Sequence, residues 1–375
     1  MRLRAVPSQI LVVCTRRIGD VLLATPVVRT LRAAFPQSAI DILVFAGTEG
    51  ALAGNPDLRE VITVAQRPGL SAHVALLRRL RRRYDLAVSL LAGDRPTLYA
   101  WVAGRQRLGM LLVDAKSFWK RLLLDAWVPF DDLGTHTVAM NLKVIEQLGL
   151  RAEPVPVVSW DAGAEAEAAS LFADAATVRY AMLHVSPKFV YKSWTAAGWV
   201  ALARHLQRNG LRVLIAAGTA QEERRFADEL FAAMPAGTVN LAGRISLGSV
   251  AFLISKAAVY VGTDTAVTHM AAALGVPTVA LFGPSNPVKW GPWPARYANL
   301  LRSPWSMRGS AQVDNVFLVQ GEATCVPCLL EGCERHEASH SDCLQHLPAA
   351  RVIAAVDAVM SGAPRRSIPL AQAPE

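Results

Sequence analysis

Four stretches of the chain carry side chains whose types and spacing could do chemistry. The first is Thr15-Arg16-Arg17-Ile18-Gly19-Asp20, between an apolar run and a helical pattern. Asp20 reads two ways. It could cap the helix, because a short carboxylate accepts from the orphan amides of a first turn. It could equally act as a general base that takes a proton from an attacking hydroxyl. Gly19 permits a tight turn, and Arg16 and Arg17 suit an anionic acceptor. The second stretch, HVSPKFVYKSWTAAGW (184–199), places Lys188 and Lys192 in a loop before a helix that Thr195 could cap. They are either surface lysines or cations that hold a diphosphate above a strand end. Trp194 and Trp199 read as packing residues.

The third stretch, VGTDTAVTHMAAALGVPTVALFGPSNPVKWGPW (261–293), is the strongest signal. A strand ends at Gly262–Thr263, Asp264 caps an alanine-rich helix over 265–274, and Gly275 stands where a C′ glycine would end it. A helix start at a strand's carboxyl end is an anion seat, since free N–H groups and the dipole both favour phosphate. Thr265 and Ala266 would face that anion. His269, one turn in, reads as a packed histidine or as part of the site. The fourth stretch is Cys325-x2-Cys328-x4-Cys333-x9-Cys343. Four thiols suggest a structural metal cluster, but the spacing lacks the two CxxC pairs of a zinc ribbon, so packed reduced thiols are the alternative. No catalytic metal is expected.

These residues need elements to hold them. The first half alternates apolar strands (9–14, 40–45, 61–65, 85–90) with helical patterns (20–35, 71–83, 95–103, 136–148). The proline-bearing stretch 151–163 breaks the rhythm, which then restarts. Strands follow at 181–186, 211–217, 258–263 and 277–282, with helices at 195–209, 220–233, 246–256 and 264–275. Such alternation implies parallel sheets covered by helices. The expected fold class is therefore α/β, two Rossmann-like doubly wound domains, 1–160 and 161–347. Ligands of such folds bind outside the carboxyl ends of the strands, here in a cleft between the two domains. A helix at 348–362 is expected to return to the first domain, and 363–375 forms a tail.

The 375 residues are 52% hydrophobic and 18% charged, ample for large cores and unlike a disordered chain. A formal charge of +9 allows nucleic acid, an anionic membrane or a phosphate-rich substrate as partner. No nucleic-acid module is recognisable. No run of about 18 apolar residues spans a membrane, and no signal peptide is evident. A cytoplasmic protein is expected, touching the inner face of a membrane if the basic run Arg78–Arg79, Arg81–Arg83 is more than a solvated helix end. Cys14 reads as a small core residue.

Together the motifs resemble glycosyltransferase family 9, the ADP-heptose:lipopolysaccharide heptosyltransferases, from Ile10 to about Val359. RRIGDVLLATPVVRTLRAAFP looks like the family's amino-terminal signature, and DTAVTHMAAALGVPTVALFGPSNPVKWGPW like its carboxyl-terminal one. KFVYKSW is similar to the loop of the third-heptose branch. The resemblance implies a GT-B architecture, inversion at the anomeric carbon, and no metal or cofactor beyond the donor ADP-heptose. It implies that Asp20 is the base, that Lys192 contacts the donor diphosphate and that Asp264 lies near the donor sugar. Thr265 and Ala266 would begin the phosphate-binding helix, and Glu222 or Glu223 would bind the ribose. The implied acceptor is the lipopolysaccharide core at the inner membrane, with no nucleic acid. A different donor sugar, a different acceptor or a non-catalytic sugar-nucleotide binder of the same fold are the competing readings.

Overall fold

The computed structural model describes residues 1–362; the expected tail lies outside the described residues. The chain divides into two compact units, Met1–Ser159 with Leu300–Arg302, and Trp160–Asn299 with the remainder.

Unit 1 holds six strands: β1 (Gln9–Cys14), β2 (Ala39–Phe45), β3 (Glu60–Val64), β4 (Tyr84–Ser89), β5 (Gly104–Leu111) and β6 (Ala126–Pro129). Their order is β3-β2-β1-β4-β5-β6, and every pairing is parallel. β1 lies at the centre, and Ile10 to Val13 are fully buried, as a strand covered on both faces requires. The helical pattern expected over 20–35 is two helices, Ile18–Leu22 and Thr25–Ala34. Pro26 has no N–H to continue the first helix, so it begins the second, and the Thr25 hydroxyl donates back to the Leu22 carbonyl at 2.6 Å.

Unit 2 repeats the plan with β7 (Tyr180–Ser186), β8 (Arg212–Ala217), β9 (Val239–Asn240), β10 (Val259–Thr263), β11 (Thr278–Phe282), β12 (Ala311–Val313) and β13 (Val316–Gln320). The order is β12-β13-β11-β10-β7-β8-β9, parallel except for the β12–β13 pair. Without the edge strand β12, both sheets share one doubly wound order, in which the first strand neighbours the second on one side and the fourth on the other. That reversal is where such sheets open to ligand. It lies between β1 and β4 in unit 1 and between β7 and β10 in unit 2.

Helix Ala349–Met360 corrects one expectation. It packs within unit 2: Val352, Ala355, Val356 and Val359 join the core that contains β7, β10, β11 and the helix Ala196–Arg208. Its apolar positions recur at helical spacing, and this core offers a continuous apolar face to receive them. Trp194 and Trp199 are buried in the same core, edge to face with centroids 5.0 Å apart.

Candidate functional site

In unit 2 the strand register brings two of the sequence motifs together. His184 of β7 pairs with Gly262 of β10, so the loops after Ser186 and Thr263 leave the sheet side by side at the switch point. The first loop turns through Val190–Lys192 and presents Lys192; the second begins with Asp264. The Lys192 ammonium donates to the Asp264 carboxylate across 72 residues of sequence. Ser285, just past β11, also donates to Asp264. Burial alone would raise the Asp264 carboxyl, but the Lys192 charge, its hydrogen bond and Ser285 hold it below the ordinary carboxylate range.

This arrangement corrects the expectation that Asp264 caps the next helix. That helix is Ala266–Ala273, Thr265 occupies the N-cap position with extended backbone, and no side chain caps it. The carboxylate is already engaged by Lys192 and Ser285. The leading amides therefore keep no side-chain acceptor and remain suited to an external anion. Thr265 and Ala266 are half-buried. The helix start is anchored from behind: the Thr268 hydroxyl donates to the Thr263 carbonyl and lies 3.0 Å from the Tyr260 hydroxyl. Gly275 ends the helix with φ +75°, a left-handed position that glycine adopts without steric cost.

His269 lies inside this helix, buried, and its Nδ1 has no hydrogen-bond partner among the described residues. Burial lowers its pKa to about 4, with Asp264 opposing and Lys192 adding to the shift, so the ring is neutral near pH 7. His184 shares this state, its pKa also lowered to about 4 by burial. His269 stands beside the Lys192–Asp264 pair rather than in the bulk core.

The next strand end, β8, separates two glutamates that the sequence left undecided. Glu222 is exposed. Glu223 is half-buried, accepts from the Ala220 amide at 3.3 Å, and lies so close to Gly218 that a Cβ there would collide with its carboxylate. Burial raises its pKa, and the Ala220 amide and Lys188 partly offset that rise. Lys188 thus faces Glu223 while also lying 5.6 Å from the Phe189 ring centroid. Of the two glutamates, Glu223 is the one beside Lys188. Ser285 did not stand out in the sequence, because what distinguishes it is proximity to a residue distant in the chain.

In unit 1, Asp20 lies in the first turn of Ile18–Leu22, where Arg17 takes the N-cap position. Asp20 is therefore not the cap. Its side chain is 12% exposed and its carboxylate stands 3.5 Å from the half-exposed Arg16 guanidinium. Gly19 and Asp20 lie just beyond β1, after residues 15–18, at that sheet's own switch point. Cys14 is buried, and burial together with Asp20 raises its thiol pKa, as suits an inert core residue.

The late cysteines lie apart from these groups in sequence but beside them in unit 2. All four are free, Cys343 is buried, and Cys325 and Cys333 are exposed. Burial, followed by the nearby Cys328, Cys325 and Cys333, pushes the Cys343 thiol up to about 12.

The family model for glycosyltransferase family 9 (heptosyltransferase) matches residues 73–314, well over half of the chain. The chain belongs to glycosyltransferase family 9. This family 9 enzyme is 26% identical to lipopolysaccharide heptosyltransferase 3 of Escherichia coli K12, over 73% of this chain and 82% of that protein. It is 29% identical to lipopolysaccharide heptosyltransferase 1 of Pseudomonas aeruginosa, over 87% of each. Its fold is that of the E. coli ADP-heptose LPS heptosyltransferase II structure, with TM-score 0.71 and 21% identity, covering 94% of this chain and 98% of that one. A family 9 glycosyltransferase built as two Rossmann-like domains is thus established, and the chain is an enzyme of the heptosyltransferase family.

Proposed function

We propose that this enzyme transfers a heptose from ADP-heptose to a hydroxyl of the lipopolysaccharide inner core, with inversion at the anomeric carbon. Unit 2 holds the donor. The Lys192–Asp264 pair beside an uncapped helix start is the observation that carries the reading. Lys192 and the leading amides at Thr265–Ala266 stabilise charge growing on the departing diphosphate, the role that a divalent ion fills in other transferases. Lys188 adds a second cation, and Glu223 accepts from the ribose hydroxyls. Asp264 orients Lys192 and faces the donor sugar. His269, neutral, contributes shape and no charge.

Asp20 is the base. The acceptor oxygen attacks the anomeric carbon opposite the bond to ADP. That bond breaks with both electrons leaving on the diphosphate, a new carbon–oxygen bond forms, and Asp20 takes the hydroxyl proton. Arg16 and Arg17 receive an anionic acceptor; Arg16 also keeps Asp20 in place. The names of the relatives, lipopolysaccharide heptosyltransferases 1 and 3, support the acceptor class.

Among the described residues no helix is long and apolar enough to cross a membrane. A cytoplasmic enzyme that touches the inner membrane surface fits this reading. The basic run does not supply that contact by itself, since Arg79 is ion-paired with Glu60 and Arg83 lies over Tyr84. The segment 112–122 does better: Leu112, Val113, Phe118, Trp119 and Leu122 are exposed around the exposed Lys116. Apolar side chains around a cation suit an anionic bilayer interface.

The test is Asp20→Asn. Transfer from ADP-heptose should fall by about 10²–10⁴-fold, the range for loss of a general base, while ADP binding by calorimetry stays unchanged. Normal turnover in this variant would remove Asp20 from the mechanism.

A further inference from the structure

From the end of β13 at Gln320 to the short helix Asp342–Gln345 there is no regular element. Loops of that length are uncommon in a compact domain, and an ordered one usually serves the function. Its cysteines do not make an ion site: among the described residues no group of three or more candidate ligands could hold a metal. The loop and its closing helix instead reach the backbone on either side of the Lys192–Asp264 pair. We propose that Gln345 is a positioning residue of the donor site, which fixes the Lys192 turn through the Ser193 carbonyl and so aims the Lys192 ammonium. This assignment rests on the reading of Lys192 as the cation that meets the diphosphate.

The turn that carries Lys192 is too short to fix itself. Val190–Lys192 is a single 3₁₀ turn, closed by the Lys192 amide on the Phe189 carbonyl at 3.0 Å and the Ser193 amide on the Val190 carbonyl at 2.9 Å. So short a piece takes its conformation from its surroundings. A lysine is a point charge on a flexible stem, so the direction of the ammonium depends on where the turn sets its Cα.

Three contacts from the last part of the chain hold the turn. Gln345 Nε2 donates to the Ser193 carbonyl at 3.0 Å, across 152 residues of sequence. The next residue, Trp194, donates from Nε1 to the Leu347 carbonyl at 2.9 Å. The loop backbone closes on Tyr191, where a Cβ added at Gly332 would lie 3.0 Å from the Tyr191 Cβ. On the other flank the Leu329 amide donates to the Pro284 carbonyl at 2.9 Å, one residue before the Ser285 that donates to Asp264. Gln345 is placed independently of the bond it makes. Leu344 and Leu347 are buried in one core with Trp194, whereas the Gln345 side chain is half-buried. Its amide is therefore the contact beside Lys192 that a substitution can remove without opening the core.

The experiment is a double-substitution cycle on the full chain, read as ADP affinity by calorimetry and as kcat and KM for ADP-heptose. Gln345→Met keeps the length of the side chain and removes its N–H donor. ADP binding should weaken about three- to tenfold, the scale of one neutral hydrogen bond. The kcat should fall about tenfold, because Lys192 acts most strongly on charge that develops in the transition state and misplacement weakens that action. The melting midpoint should stay within about 3 °C of wild type, whereas a merely structural role would lower it and leave kcat alone. In a Lys192→Met background the same substitution should cost no further ADP affinity, since no ammonium remains to be aimed. Wild-type affinity and kcat in Gln345→Met, or losses that add in the double variant, would overturn the assignment and leave the donor site as proposed. Unchanged ADP affinity in Lys192→Met alone would overturn the donor-site reading and this assignment with it.

Discussion

Replacing Lys192 with Met removes the cation of the Lys192–Asp264 pair while keeping most of its stem. The Asp264 side chain is 8% exposed and that of Lys192 18%, so the variant leaves a carboxylate in a largely dry site with Ser285 as its remaining side-chain donor. Breaking a buried pair from one side costs about 3–5 kcal/mol, and the residual water access at Lys192 argues for the lower end, about 3 kcal/mol. For a unit of this size that corresponds to a fall in melting midpoint of about 6–12 °C. The deficit should depend on pH. In the native chain Lys192 outweighs burial and holds the Asp264 carboxyl below its ordinary 3.8. That contribution is present above the unfolded value and is lost only as pH falls through the folded one. In the variant burial wins and the folded pKa rises above the unfolded value. The added penalty is then complete at neutral pH, shrinks as pH falls toward the raised pKa, and vanishes below the unfolded value. Urea unfolding at about pH 7.5 and pH 5 should show a smaller deficit at the lower pH. The double variant Lys192→Met/Asp264→Asn should recover most of the loss, because no unpaired charge remains. A deficit equal at both pH values, or a double variant no better than the single one, would refute this account of the pair.

Glu223→Gln should weaken ADP binding by about tenfold, the scale of one hydrogen bond to a charged group, whereas Glu222→Gln should leave it unchanged; calorimetry on both variants decides between them. His184 and His269 have folded pKa values of about 4 against 6.5 unfolded, so the unfolded chain binds more protons between those limits and stability should fall as pH drops from about 6.5 to 4. Each contributes at most about 3 kcal/mol to that fall, and His184→Leu should flatten the slope; an unchanged slope counts against a buried neutral ring. Phe118→Asp with Leu122→Asp should abolish co-sedimentation with anionic vesicles while the melting midpoint stays within a few degrees, and vesicle binding equal to wild type would exclude this segment as the contact.

Much of the architecture was readable along the chain, because strand and helix periodicities are local. β1, with five consecutive buried positions, and the apolar run of β10 announce themselves in this way. The elements that were not foreseen have physical reasons. β5 begins Gly104-Arg105-Gln106-Arg107, polar enough to mask its buried end, and β6 is four residues closed by Pro129. β9 pairs through two residues, and β12 and β13 follow a long irregular stretch that hides their rhythm.

By itself the sequence determined which chemical groups exist and where the local signals for strand, turn and helix fall: Asp20 after the first strand, two lysines after the seventh, and a helix start after Thr263. Only the tertiary structure decided that Lys192 neutralises Asp264, that Asp264 therefore caps nothing, that Glu223 and not Glu222 faces Lys188, and that the last helix packs on unit 2. Local signals extend over a few residues, whereas partners separated by 72 residues meet only once strand order places β7 beside β10. That order is set by burying the apolar faces of many elements at once, a condition that no single stretch of the chain carries.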